Sequence, residues 1–282
     1  MLIEKYFLEE ILTQIYEFIF NFSKYLILLI MPRYFIEFSY DGTNYHGLQK
    51  QPSLSTIQES IEINMNKYLG VNSNLTLAGR TDTGVHAKQM FAHFDLNLDF
   101  KQDQFCNTMN KMLPKDITLE SLSLVADDTH ARFDASSRTY EYFVNSKKSP
   151  FNYRFSYYIK HQIDVEKMNK SCSRLINHLD FKCFSKSNTD VKTFNCDISY
   201  AKWEVLDEGL KFKITANRFL RNMVRSIVGT MIEIGSSKIS DADFQKILDS
   251  RNRSEAGLSV PSSGLFLTNV TYPQKFIKTW KK

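Results

Sequence analysis

The sequence predicts an α+β fold with a mostly antiparallel sheet. Three observations carry the prediction. Short segments of apolar–polar alternation recur along the chain, the period of a half-buried strand. They follow one another as strand, helix, strand, loop, strand rather than in strict strand–helix alternation. A hairpin signature, Asp207-Glu208-Gly209 between two alternating runs, stands in the second half.

The elements follow in order. Residues 33–40 place Tyr34, Ile36, Phe38 and Tyr40 on one face, and Asp41-Gly42 ends the strand as a turn. Ser55-Thr56-Ile57-Gln58 has the form of a capping box. Ile57, Ile61, Met65 and Leu69 follow at helical spacing, with Gly70 as the stop. Strands are expected over residues 74–78 and 88–98, with a loop over 79–87 between them. Further strands are expected over 138–145 and 156–159, then a helix over 165–179. The hairpin strands span 198–205 and 210–216. A long helix is expected over 217–234, burying Leu220, Met223, Val224, Ile227, Val228 and Met231 and ending at Gly235. A shorter helix over 241–250 precedes a last strand over 265–272.

Composition narrows the class of protein. The 282 residues are 43% hydrophobic and 24% charged, which supports a sizeable core and excludes global disorder. A net charge of +5 leans toward an anionic partner without the strong basic bias of a dedicated nucleic-acid-binding domain. Cys106, Cys172, Cys183 and Cys196 show no paired spacing, so neither a zinc site nor a disulfide framework is expected. That usage fits a reduced, cytoplasmic protein. The stretch 6–31 is rich in Phe, Tyr, Ile and Leu, but Glu9, Glu10, Glu17 and Lys24 interrupt it. A spanning helix needs about 20 predominantly apolar residues, so no membrane anchor is expected. Residues 1–32 are read as an N-terminal extension outside the core, with Met31-Pro32-Arg33 as the native beginning or the extension as a peripheral amphipathic appendage.

One segment is dense in chemistry: Ala78-Gly79-Arg80-Thr81-Asp82-Thr83-Gly84-Val85-His86-Ala87. Two glycines permit close backbone approach, and a cation, a carboxylate and two hydroxyls lie between them. Asp-Thr-Gly is also a common turn tripeptide whose hydroxyls cap local amides. It marks aspartic proteases too, but those need two carboxylates sharing a proton. This chain has one such tripeptide, and Arg80 beside it favours full ionisation.

The ten-residue string resembles the hallmark motif of the tRNA pseudouridine synthase A family. Further matches run in order from Arg33 to Pro273. They include Asp41-Gly42-Thr43, Tyr45-His46-Gly47, Gln49, Leu113-Pro114, Asp116-Ile117, His130-Ala131-Arg132-Phe133, Arg138, Tyr140, Phe219-Leu220, Met223-Val224-Arg225, Ile227-Val228-Gly229, Pro261 and Gly264-Leu265. The chain departs from the family pattern at Leu48, where Trp is usual, at Asn222, where His is frequent, and at Ser259, Val260 and Ser262.

The resemblance implies a pseudouridine synthase fold, two α/β halves whose mostly antiparallel sheets flank a central cleft. Residues 33–136 would carry the catalytic loop and 137–282 would complete the cleft. It implies isomerisation of uridine to pseudouridine at positions 38–40 of the tRNA anticodon arm, without cofactor or metal, by a homodimer. It makes Asp82 the nucleophile, Arg225 its ion-pair partner, and Tyr140 the ring that stacks on the target uracil, with Leu265 also at the substrate. Periodicity alone does not separate Tyr140 from Tyr142, which shares its face. Arg80 is the candidate to grip the RNA backbone or fill the space left by a flipped nucleotide. His86, His130, Arg132 and Arg138 are candidate RNA contacts or structural residues. Arg218 and Arg221, placed by the helical reading on nearly the same face as Arg225, are candidates for phosphate. The competing reading is a protein that grips structured RNA without chemistry, for which Asp82 would have no use.

Overall fold

The computed structural model describes residues 14–17, 31–98, 100–186 and 191–273. Most of the N-terminal extension thus lies outside the described residues. Along the chain the elements are β1 (Arg33–Tyr40), α1 (Ile57–Leu69), β2 (Thr76–Leu77), β3 (His86–Asp95), α2 (Gln102–Met112), β4 (Ile117–Val125), β5 (Ser137–Asn145) and β6 (Tyr157–Tyr158). Then come α3 (Val165–Ile176), β7 (Ile198–Leu206), β8 (Gly209–Ala216), α4 (Met223–Gly235), α5 (Asp241–Ser250) and β9 (Leu265–Thr271).

The strands join in one sheet of order β4-β1-β3-β9-β5-β8-β7, with β2 on β3 and β6 on β5. The expected α+β class holds, and pairing is antiparallel except at β3–β9 and β5–β6. The two groups of strands are therefore continuous with each other. They meet at β3–β9, where only two residue pairs are in register, His86 with Phe266 and Ala87 with Leu267.

Each group buries its own core. Phe38, Phe91, Phe94 and Ile36 pack with Ile57, Ile61 and Met65 of α1 and Phe105 and Met109 of α2. On the other side Trp203, Tyr142 and Phe212 pack with Met168, Cys172 and Leu175 of α3, with Phe244 of α5, and with most of α4. Each fully buried aliphatic or aromatic side chain contributes about 1.5–3 kcal/mol. Tyr140 packs against both cores and so stands where they meet.

Several sequence-based boundaries shift, each for a local reason. The N-cap of α1 is Thr56, which accepts from the Glu59 amide, so the box does not form around Ser55. Gln58 instead donates to Glu62 and to the Leu75 carbonyl, tying α1 to the residue before β2. Gly70 caps α1 in the left-handed region as expected. The strand expected over 74–78 shrinks to two residues, and α3 stops at Ile176.

The largest shift is at α4, which begins at Met223 rather than at 217. Asn222 lies at φ 67°, in the left-handed region that a right-handed helix cannot contain. Asn217 exchanges hydrogen bonds with Asp197. Arg218 and Arg221 consequently precede the helix and do not share a helical face with Arg225. Among the described residues no helix is long and apolar enough to cross a membrane.

Candidate active site

Asp82 lies in the loop between β2 and β3. The Val85 amide donates to the Asp82 carbonyl at 3.1 Å, closing a tight turn with Gly84 at φ 75° in its third position. Residues Asp41–Leu48 form the bed beneath this turn. Leu48 donates its amide to the Thr81 carbonyl at 3.2 Å, and Gly84 donates to the Tyr45 carbonyl at 3.4 Å. The Thr81 hydroxyl meets that of buried Tyr40 at 2.7 Å. Burial pushes the Tyr40 hydroxyl far up, with Thr81 pulling against it. Gly42 passes so close that a Cβ there would sit 2.0 Å from the Val85 carbonyl oxygen.

His86 anchors the far end of the turn. It is 1% exposed, and its ring stacks on Phe266 at 4.6 Å. Nε2 faces the carbonyl oxygens of Arg154 at 3.1 Å and Ser263 at 3.2 Å, so it carries the proton. Nδ1 then accepts from the Gly42 amide at 3.1 Å. Burial holds the His86 pKa below its ordinary value, while Asp41, whose Oδ1 is 3.0 Å from Nδ1, pulls it upward. With its ring enclosed and both nitrogens engaged, His86 presents nothing to an RNA. Its position in the structure is that of a fastener.

Held in this way, the loop turns the Asp82 side chain outward between two arginines. Oδ2 is 3.8 Å from Nη1 of Arg225, and Oδ1 is 3.7 Å from Nε of Arg221. Arg225 sits in the first turn of α4, donates Nε to the Val260 carbonyl at 2.7 Å, and accepts from the Val260 amide at its own carbonyl. The Tyr140 ring is half-buried on β5 and meets Phe219 edge-on at 5.2 Å. Burial pushes its hydroxyl up to about 12, with Arg138 opposing the rise and Asp82 adding to it. Tyr142, two residues on, is fully buried and donates to the Pro261 carbonyl at 2.8 Å. Accessibility thus separates the two tyrosines that periodicity left equivalent.

The remaining candidates divide. Arg80 is exposed beside Asp82. Leu265 is buried at the start of β9, paired with Tyr142. Arg138 is turned inward: its guanidinium donates to the carbonyls of Ala78, Arg132, Ala135 and Asn217, and burial pushes its pKa down. It ties the start of the Asp82 loop to two neighbouring loops, which leaves little of its fork for RNA. His130 accepts from the amides of Arg132 and Phe133 through Nδ1 and packs edge-on to His93. It therefore shapes its own turn. Arg132 and Phe133 are exposed and lie against each other. Arg218 is half-exposed before α4.

Two departures from the family pattern meet. The Asn222 side-chain amide donates to the Ser259 hydroxyl at 2.5 Å, and Arg253 donates to the same oxygen at 3.0 Å. Leu48 is fully buried, so the missing indole is a matter of core packing. The sequence did not single out Tyr40, Gly42 as a contact of Val85, or Val260 as the anchor of Arg225. The close-spaced early motif was the available sign of the first two. Among the described residues no group of three or more His, Cys, Asp or Glu could hold a metal ion.

An α+β sheet with an outward carboxylate flanked by arginines, beside a half-open tyrosine, suits an enzyme that acts on a polyanion. Comparison with known proteins makes this specific. A family model described as tRNA pseudouridine synthase matches residues 172–273. The tRNA pseudouridine synthase A of Bacteroides fragilis is 46% identical over 248 residues, 87% of this chain and 98% of that protein. That of Bacteroides thetaiotaomicron is 44% identical over 247 residues, 86% and 92% of the two chains. That of Parabacteroides distasonis is 44% identical over 246 residues, 87% and 98%. The chain belongs to the tRNA pseudouridine synthase family.

Proposed function

We propose that this protein isomerises uridine to pseudouridine in the anticodon stem-loop of tRNA, at positions 38–40, with Asp82 as the nucleophile and no cofactor. The reaction breaks the bond between uracil N1 and the ribose and joins the ribose to C5 of the same base. An ordinary carboxylate is ionised at neutral pH and can open that exchange. The observation that carries the reading is the Asp82 carboxylate, turned outward between Arg225 and Arg221 with Tyr140 close by.

The positions support the following roles. Arg225, held by Val260, keeps one carboxylate oxygen fixed. Tyr140, half-buried on β5 and edge-on to Phe219, is the platform for the extruded uracil. Arg80, exposed next to Asp82, engages the RNA backbone. The resemblance to the family also supports a homodimer working in the cytoplasm.

The test is to incubate bulk unmodified tRNA with the wild-type protein and with Asp82→Ala, then map pseudouridine. The wild type should modify positions 38–40. The variant should lose activity by roughly 10³-fold or more, while its stability stays within about 0.5 kcal/mol because the side chain is partly exposed. Equal activity in the two would remove Asp82 from the mechanism. No product from wild type on any tRNA would favour a non-catalytic RNA-binding protein.

A further inference from the structure

The two arginines that face Asp82 are held in different ways. Arg225 has a side chain 22% exposed, belongs to α4, and is pinned at both its Nε and its carbonyl by Val260. Arg221 has a side chain 61% exposed and belongs to the non-helical run before α4. Its backbone is held where its carbonyl accepts from the Lys186 amide at 3.0 Å, which leaves the guanidinium free to turn. At 3.7 and 3.8 Å, both contacts with Asp82 are ion pairs beyond hydrogen-bond length.

A solvated pair of this kind is weak, and a phosphate competes well for the same guanidinium. A bare carboxylate at the mouth of an RNA site would also repel the backbone that must approach it.

We infer that Arg221 is a second, exchangeable counter-ion of Asp82, which shields the carboxylate while the site is empty and passes to an RNA phosphate as the substrate docks. The inference rests on the reading of Asp82 as nucleophile and tRNA as substrate. Docking then uncovers Oδ1 of Asp82 while Arg225 still holds Oδ2. Arg221 is a positioning residue in this scheme, acting through Asp82 and the phosphate.

The test measures turnover and binding of an unmodified tRNA transcript at several salt concentrations. It uses the wild type, Arg221→Gln, Arg221→Lys, Asp82→Asn and the Asp82→Asn/Arg221→Gln double variant. Exchange predicts that Arg221→Gln raises KM about three- to tenfold and leaves kcat within about twofold. It also predicts that the slope of log affinity against log salt falls by about one. Arg221→Lys keeps the charge and should restore KM and slope. Asp82→Asn should tighten tRNA binding about two- to fivefold more when Arg221 is present than in the Arg221→Gln background, because only then is a pair broken on docking. A fall in kcat with KM and salt slope unchanged would mean a fixed clamp and would overturn the exchange. Equal tightening in the two backgrounds would do the same. If the wild type binds tRNA but forms no pseudouridine, the proposed reaction fails. The binding arms still decide whether Arg221 moves.

Discussion

The loop that carries Asp82 has two sides built on opposite principles. Its inner side, Thr81, Val85 and His86, is buried, with Thr81 bonded to Tyr40 and Leu48 and His86 to Gly42 and the carbonyls of Arg154 and Ser263. Its outer side, Arg80, Asp82 and Thr83, is open and touches the rest of the protein through long ion pairs. The tight turn from Asp82 to Val85, with Asp82 and Thr83 open between buried Thr81 and buried Val85, makes both possible. The inner residues give the loop one conformation, and the outer ones are then presented without having to stabilise anything. Substitutions on the inner side should be felt first as stability, and those on the outer side as activity alone.

The sharpest way to break this contrast is Gly42→Ala. The added Cβ would meet the Val85 carbonyl oxygen at 2.0 Å, and that atom belongs to the loop itself. A cost of roughly 2–4 kcal/mol is expected, together with loss of most activity, although the residue lies some forty positions from Asp82. Denaturant unfolding and a turnover assay on the same preparation check both. An unchanged midpoint would show that the loop bends freely and that its inner side is no scaffold.

A smaller effect is expected from Arg138→Met, which removes the donor from four carbonyls while keeping much of the side-chain volume. Partly buried carbonyls left without a partner should lower stability by roughly 1–3 kcal/mol. Activity per folded molecule should fall less, because Arg138 holds only the start of the loop, at Ala78. Fluorescence-monitored unfolding and the salt dependence of tRNA binding separate this outcome from a direct phosphate contact. A lower salt slope with normal stability would return Arg138 to the RNA-binding side.

The smallest effect is a pH dependence. His86 is buried neutral, with its folded pKa depressed chiefly by burial and partly restored by Asp41. The unfolded chain therefore binds a proton that the folded one resists. The stabilisation is present above the ordinary histidine value of about 6.5 and is lost as pH falls below it. His93, lowered to about 4, adds a term of the same sign. Unfolding free energy measured from pH 7.5 to 5 should decline for the wild type and decline less steeply for His86→Asn. Parallel curves would mean that His86 does not titrate on unfolding in this range.

Much of this arrangement was legible in the sequence, and the failures have physical causes. Strand β1, helix α1 and the β7–β8 hairpin were visible because one periodicity governs each of them. The segment that forms α2 gave no signal: Phe105 and Met109 are its only buried residues, and Lys101 at its N-terminus makes no side-chain cap. The alternation of β4 is disturbed at a bulge, where its register against β1 shifts between Glu37 and Phe38. Asp82 and Arg225 stood out as members of a motif, and the structure brings them together. The inward turn of Arg138 and the enclosure of His86 depend on carbonyls far away in sequence. No local pattern encodes where those carbonyls point, so a charged or polar residue in a family motif reads equally well as a contact for RNA.

The position of β9 has a consequence for how the protein comes into being. This strand is the last of the described elements in sequence, yet it lies in the middle of the sheet, between β3 and β5. The neighbouring stretch 259–263 supplies the oxygens that hold Asn222, Arg225, Tyr142 and His86. During synthesis, β4-β1-β3 and β5-β8-β7 can each pair as the chain emerges, but no strand joins the two groups into one sheet until β9 has left the ribosome. The loop that carries Asp82 is made early and waits. Its surroundings are completed only when residues 259–271 arrive, so a chain halted short of that point would hold Asp82, Arg221 and Arg225 without the Val260 carbonyl that fixes Arg225.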